Sequence, residues 1–302
     1  MRRRPDLKAS WIVALTCTSA CSPAVSPPPE RADVVVTAAP PIDPPPAVDI
    51  SHVTAAWNRS CVLRDKNLWC WGIMASGAAG VPQRFDDLGE LVSVALGDIH
   101  SCAARVDGSV RCWGSGKVVG NLYGATAPGF EPIPLPPGVR QVVVNRVAAC
   151  ARDDAGAVHC WGGNIGVAPQ TIELPGAAEQ LAAGSRSACA LVAGDVWCWR
   201  DDDVTPVRLG DARYRDLALS AEGGLCAVTR AGSAGDGEVH CFGEPCTGRQ
   251  TPWAKSRCEH VIAGARSVVA EGHWCVRGAD GWHCWRNNDM GQIAADGAAW
   301  LA

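Results

Sequence analysis

The sequence predicts an all-β chain: a β-propeller of six to seven four-stranded blades, built from repeats of about 40 residues behind a signal peptide and a proline-rich linker. Three observations predict it. A unit with two cysteines and a following aromatic recurs six times. Glycine and proline, 33 and 21 of the 302 residues, favour many turns over long helices. Tryptophan outnumbers the other aromatics, with 13 Trp against 3 Phe and 2 Tyr, which indicates one position copied many times. A net charge of -4 supplies no basic field, so nucleic acid is not an expected partner.

Residues 1–21 read as a lipoprotein-type signal peptide. Arg2, Arg3 and Arg4 precede a short apolar stretch, SWIVALT (10–16), and TSAC ends at Cys21. The apolar stretch is too short to span a bilayer. TSAC resembles a bacterial lipobox, which makes Cys21 the expected lipidation site. Thr18 stands where leucine is usual, and ordinary secretory cleavage is the alternative. Ser22 after the cysteine implies, by analogy, outer-membrane or cell-surface placement, with a periplasmic or secreted protein as the competitor. Residues 22–49 form the linker. Its proline clusters favour extended polyproline II and leave little apolar surface to bury. The propeller is expected over 50–302.

The six units are CVLRDKNLWCWG (61–72), CAARVDGSVRCWG (102–114), CARDDAGAVHCWG (150–162), CALVAGDVWCWR (189–200), CAVTRAGSAGDGEVHCFG (226–243) and CVRGADGWHCWR (275–286). Each reads as a β-hairpin. Asp65-Lys66 and Ala193-Gly194 leave two central residues, so Cys61 falls opposite Cys70 and Cys189 opposite Cys198. Asp107-Gly108 and Ala155-Gly156 fit a loop one residue longer. An apolar run precedes each hairpin, as in LVSVALG (91–97) and VRQVVV (139–144). A segment carrying proline follows most of them, as in VPQRF (81–85) and VTPVRL (204–209), which suits an edge strand. One such four-stranded blade cannot bury both faces, so neighbours must complete its core.

The run GDIHSCAARVDGSVRCWG (97–114) resembles the repeat of the regulator-of-chromosome-condensation family of β-propellers. The stretch CWRNNDMGQIA (284–294) is similar to the same family's Asn-x-x-Gly-Gln-Leu-Gly return. The resemblance covers about 51–302, and the version with two cysteines per unit resembles exported bacterial members. Most returns depart from the pattern, and two units end Trp-Arg instead of Trp-Gly. The resemblance implies seven blades against six hairpins, so closure is expected to borrow ISHVTAAW (50–57) into a blade shared with the C-terminus. DVVVT (33–37) is a further candidate strand.

For the cysteines, zinc or thiol chemistry competes with a cross-strand disulfide in every blade. No Cys-x-x-Cys occurs, and opposed cysteines in an oxidising compartment favour disulfides. The expected pairs are Cys61–Cys70, Cys102–Cys112, Cys150–Cys160, Cys189–Cys198, Cys226–Cys241 and Cys275–Cys284. Cys246 and Cys258 are expected to pin an inserted loop. Trp71, Trp113, Trp161, Trp199, Phe242 and Trp285 follow the second cysteine, and once-per-blade recurrence favours packing between blades over a ligand platform. The position before that cysteine takes Trp69, Arg111, His159, Trp197, His240 or His283, a mixture that suits partial exposure. His100 and His273 read as structural, and Asp201-Asp202-Asp203 as a solvated loop tip. No catalytic triad elbow, HExxH or phosphate-cradling loop occurs in the sequence, and neither a cofactor nor a metal is expected.

The expected function is a non-catalytic, exported, lipid-anchored module that binds another protein through its loop faces, acting as a monomer and touching the membrane only through its anchor. A glycan-binding lectin, or a hydrolase- or lyase-type enzyme using a propeller face, is the alternative. The irregular segments 115–131 and 244–260 are the candidate surface. Thiol counting on the denatured, unreduced chain should find almost no free cysteine; several free thiols or stoichiometric zinc would defeat the disulfide assignment.

Overall fold

The computed structural model describes residues 50–56, 59–74, 77–97, 99–115, 126–230, 237–243, 257–262, 264–270 and 273–286. All of them lie in one compact unit, Ala47–Ala302. They form strands and turns without a helix, so none of them makes a helix long and apolar enough to cross a membrane.

Six blades follow one another along the chain as a six-bladed β-propeller. The first holds β1 (Ile50–Ala56), β2 (Arg59–Arg64), β3 (Asn67–Met74) and β4 (Gly77–Phe85). The second holds β5 (Leu91–Leu96), β6 (His100–Arg105), β7 (Val110–Ser115) and β8 (Thr126–Ile133). The third holds β9 (Val139–Val144), β10 (Ala148–Asp153), β11 (Val158–Gly162) and β12 (Gly166–Thr171). The fourth holds β13 (Ala178–Gly184), β14 (Ser187–Val192), β15 (Asp195–Arg200) and β16 (Asp203–Leu209). The fifth holds β17 (Tyr214–Leu219), β18 (Leu225–Thr229), β19 (Glu238–Phe242) and β20 (Arg257–Val261). The sixth has three strands among the described residues, β21 (Ser267–Ala270), β22 (His273–Arg277) and β23 (Trp282–Arg286).

Within each blade the strands pair antiparallel in chain order. Contacts between blades run through the first strands, β1 with β5, then β9, β13, β17 and β21 in turn, so these line the centre. The proline-bearing strands β4, β8, β12 and β16 lie at the outer edges, where a missing N–H leaves no ladder bond unmade. The hairpin turns follow their residues: Asp65, Lys66, Ala193 and Gly194 all have positive φ, as a two-residue turn of the hairpin hand requires.

Two corrections concern topology. ISHVTAAW does not join the C-terminal blade; β1 pairs with β2 inside the first, with Thr54 opposite Cys61. Its alternating pattern continues the same sheet as the hairpin that follows, which a local connection satisfies more readily than a long-range one. The supposed insert at 244–260 ends in β20, the fourth strand of the fifth blade, where Cys258 lies opposite Cys241. DVVVT lies outside the described residues.

The joints between blades repeat. Val94, Val142, Leu181, Leu217 and Val268 hold one position on the inner strand and are at most 4% exposed. Each packs against the cysteine row of the blade before it: Val94 against Cys61 and Cys70, Val142 against Cys102 and Cys112, and so on to Val268 against Cys226 and Cys241. Burying such a side chain stabilises the joint by about 1.5–3 kcal/mol.

A polar stitch runs beside each of these contacts. His52 Nε2 bonds to the Val94 carbonyl, and the Val142 N–H donates to Ser93 Oγ. Gln141 both donates to the Leu181 carbonyl and accepts from its N–H, each at 3.0 Å. Gln180 donates to the Leu217 carbonyl, and the Val268 N–H donates to Asp216 Oδ2 at 2.8 Å. Turn carbonyls add a second stitch, since Lys66, Gly108, Gly156 and Gly194 accept from the N–H groups of Leu91, Val139, Ala178 and Tyr214. At Gly156 a Cβ would come within 2.7 Å of the Ala177 Cβ, so this close approach needs glycine.

Burial pushes the Asp216 carboxyl above its usual range, against the opposing pull of the Val268 N–H, the Gln180 amide and the Leu217 N–H. A raised folded value means this group's stability contribution is fullest below its unfolded value near 3.8 and declines as pH rises through the folded one. Burial likewise pushes the His52 imidazole below its usual range. Asp216→Ala should cost about 1–3 kcal/mol, because buried N–H groups lose their acceptor. The deficit against wild type should widen as the pH falls from 7 toward 4 in urea unfolding; a deficit that shrinks would oppose this account.

Candidate functional site

In each of the first five blades the first strand joins the second, and the third joins the fourth, at the same end of the ring. The hairpin tips and the links to the next blade lie at the other end. The two stretches that break the repeat, 116–125 and 244–256, connect β7 to β8 and β19 to β20.

The inner strands end at the first of these ends around a shallow cavity of about 140 Å³ lined by Leu96, Gly97, Asn145, Arg146, Ser185 and Leu219, among others. Small-molecule sites usually enclose roughly 300–1,000 Å³, more than this cavity holds among the described residues. Its rim interlocks. Asn145 Oδ1 accepts from the N–H groups of Val147 and Ala148, and its Nδ2 reaches the Ser187 carbonyl of the next blade. The Arg146 N–H donates to the Ser185 carbonyl at 2.9 Å, while the Arg146 side chain is exposed. Ser185 holds a φ of 50°. Arg59 donates to the Gly97 carbonyl and to Ser101 Oγ, joining the first two blades at the same level.

Asp201 corrects an expectation. It is not a solvated tip: its carboxylate is 1% exposed and takes a bidentate pair from Arg186, at 2.8 and 2.9 Å. The Asn164 N–H of the third blade also donates to it, at 3.3 Å. Its hydrogen bonds raise the Arg186 guanidinium further above its usual range. One carboxylate thus binds the turns of two blades, since a buried charge must be paired to be tolerated.

The other predicted residues are placed as follows. Cys21 and Cys246 lie outside the described residues. Disulfides join Cys61–Cys70, Cys102–Cys112, Cys150–Cys160, Cys189–Cys198 and Cys226–Cys241. Cys275 is disulfide-bonded and stands opposite Cys284 in register. Trp161, Trp199 and Phe242 are buried against the cysteines of the preceding blade. Trp113 is half-buried, edge-on to Phe130 at 5.3 Å. Trp71 is half-buried. The side chain of Trp285 is not among those described. His240, expected to be partly exposed, is buried and bonded to the Tyr214 hydroxyl at 3.0 Å. His100 is buried, and among the described residues no three His, Cys, Asp or Glu side chains gather to hold a metal.

Sequence reasoning missed the stitching residues His52, Ser93, Gln141, Gln180 and Asp216. A spacing signal existed, since each precedes its first cysteine by nine or ten residues. Their chemistry hides it, because imidazole, hydroxyl, amide and carboxylate serve the same turn.

These features define the architecture of a repeat β-propeller. More narrowly, residues 91–118, running from β5 through β7, match the model of the regulator of chromosome condensation (RCC1) repeat, so this stretch is similar to that family's unit. Human WBSCR16 superimposes with a TM-score of 0.60 at 17% identity, over 76% of this chain and 72% of that one. Prp20p from Saccharomyces cerevisiae, described with its binding to Gsp1p and histones, gives 0.58 at 17%, over 77% and 70%. Yeast RCC1 (Prp20) with Kap60 bound gives 0.60 at 15%, over 82% and 73%. No curated protein matches the sequence.

Asp201→Ala should lower stability by about 1.5–3 kcal/mol in urea unfolding. It should also speed amide exchange in the turns at 163–165 and 185–186; unchanged exchange there would deny the carboxylate its role.

Proposed function

We propose that the protein is a non-catalytic module that binds another protein through the end of the ring bearing the central mouth and the segments 116–125 and 244–256. The observation that carries this reading is their shared place in the blade. Each of the two departures from the repeat links a third strand to a fourth, and the blades that carry them are locked by disulfides and inter-blade bonds. A stiff frame with variable loops spends little entropy on ordering its contact surface. Prp20p, which shares the fold, is described as binding Gsp1p and histones.

The finer reading is an exported protein of the cysteine-rich bacterial kind. Residues 1–21 serve as the signal peptide, Cys21 carries the lipid, 22–49 form the stalk and 50–302 the propeller at the cell envelope. The disulfides support export, because such bonds persist in oxidising compartments.

The test is affinity capture from envelope extract with the full chain and two surface variants. Replacing 244–256 by a two-residue turn, or Arg146→Glu, should weaken recovery of the partner at least tenfold. Lys66→Glu, at the opposite end, should leave it unchanged. Equal recovery by all variants would sink the assignment of this face. Turnover of a glycan or ester panel would sink the non-catalytic reading.

A further inference from the structure

At the end of the ring that bears the cavity, the arginines are committed within the fold, with one exception. Arg59 donates to the Gly97 carbonyl and to Ser101, Arg186 to Asp201, and Arg200 to Asp202. Arg146 borders the cavity with an exposed side chain. Among the described residues that side chain has neither an ion pair nor a hydrogen bond. The fold itself withholds a partner. Asp201, which takes Arg186 in the fourth blade, lies three residues past the second cysteine, and the third blade holds Gly163 at that place. A Cβ on Gly163 would come within 2.7 Å of Asp201 Oδ2, so no acidic side chain fits there.

The backbone that carries Arg146 is nevertheless fixed. Its N–H donates to the Ser185 carbonyl of the next blade at 2.9 Å. Asn145 beside it is 8% exposed and accepts from the N–H groups of Val147 and Ala148, at 2.9 and 2.7 Å. An unpaired guanidinium therefore stands on a rigid turn, and a ligand need order only its side chain. The cavity it borders has an apolar wall of Ala56, Leu96, Val144, Ala183 and Leu219.

A guanidinium pairs best with a carboxylate or a phosphate, through two parallel N–H bonds. Phosphate groups and chain-terminal carboxylates are commonly held by nests of successive backbone N–H groups. Here the successive N–H groups of Arg146, Val147 and Ala148 are already spent on Ser185 and Asn145. One free guanidinium beside an apolar wall matches a single carboxylate on a short methylene stem. We infer that Arg146 anchors an acidic side chain, aspartate or glutamate, that the protein partner inserts into the central cavity, on the reading above that this end binds a protein.

The probe is N-acetylglutamic acid α-amide, whose only charge is the side-chain carboxylate. The readout is the Arg146 Nε–H and Ser185 N–H resonances of the full chain. The probe should shift both saturably in the millimolar range, and its glutamine analogue should shift neither. Arg146→Gln should weaken the Ser185 response at least tenfold, and Arg146→Lys should weaken it less. Both variants should unfold at the wild-type urea concentration, because the side chain bonds to nothing in the fold. An equal response from the glutamine analogue, or from Arg146→Gln, would overturn the anchor. Tighter binding of inorganic phosphate or N-acetylalanine would overturn the choice of a side-chain carboxylate. A silent probe, with affinity capture still dependent on 244–256, would remove the anchor and leave the binding face standing. Capture lost with Arg146→Gln but kept when 244–256 is replaced would support the anchor and remove that connection from the binding face.

Discussion

The structure depends on the joint between one blade and the next. A four-stranded sheet has two faces and can fill neither alone, so each blade is stable only against its neighbours. Here the joint has a fixed composition. The disulfide of one blade lies under the aliphatic inner-strand residue of the next, as Cys102–Cys112 lies under Val142. A polar side chain from the earlier blade meets the backbone beside that residue. The disulfide limits the unfolded ensemble of each hairpin, and the apolar contact makes that hairpin's face worth covering. Neither suffices separately, because a clipped hairpin still exposes its face to water.

A joint of this kind also separates frame from function. The strands and hairpin tips are constrained at both ends of their length, by cysteine rows in the middle and by turn carbonyls at the tips. At the other end Arg186, Asp201 and Asn145 bond the short turns of neighbouring blades to one another around the central cavity.

Much of the architecture was legible in the chain. The hairpins, their turn residues and the opposition of cysteines follow from local spacing, because a two-residue turn sets its own register. The proline strands fell at the edges for an equally local reason. What was misread shares one cause. Asp201 looks like any acidic tip until Arg186, fifteen residues away, folds over it. His240 stands among half-buried equivalents until Tyr214 closes on it. ISHVTAAW could have paired at either end of the chain, and only the competition between partners placed it beside β2.

The repeat unit, its disulfide pairing and the fold class were therefore set by residues near one another in sequence, through turn geometry and alternation. Which faces are covered was decided only in three dimensions. Val53 and Val94 are the same residue type in the same register, yet one is buried and the other is not. The difference lies wholly in what stands across the joint, a property of the neighbouring blade and not of the strand. Burial is a relation between surfaces, so no local pattern can specify it.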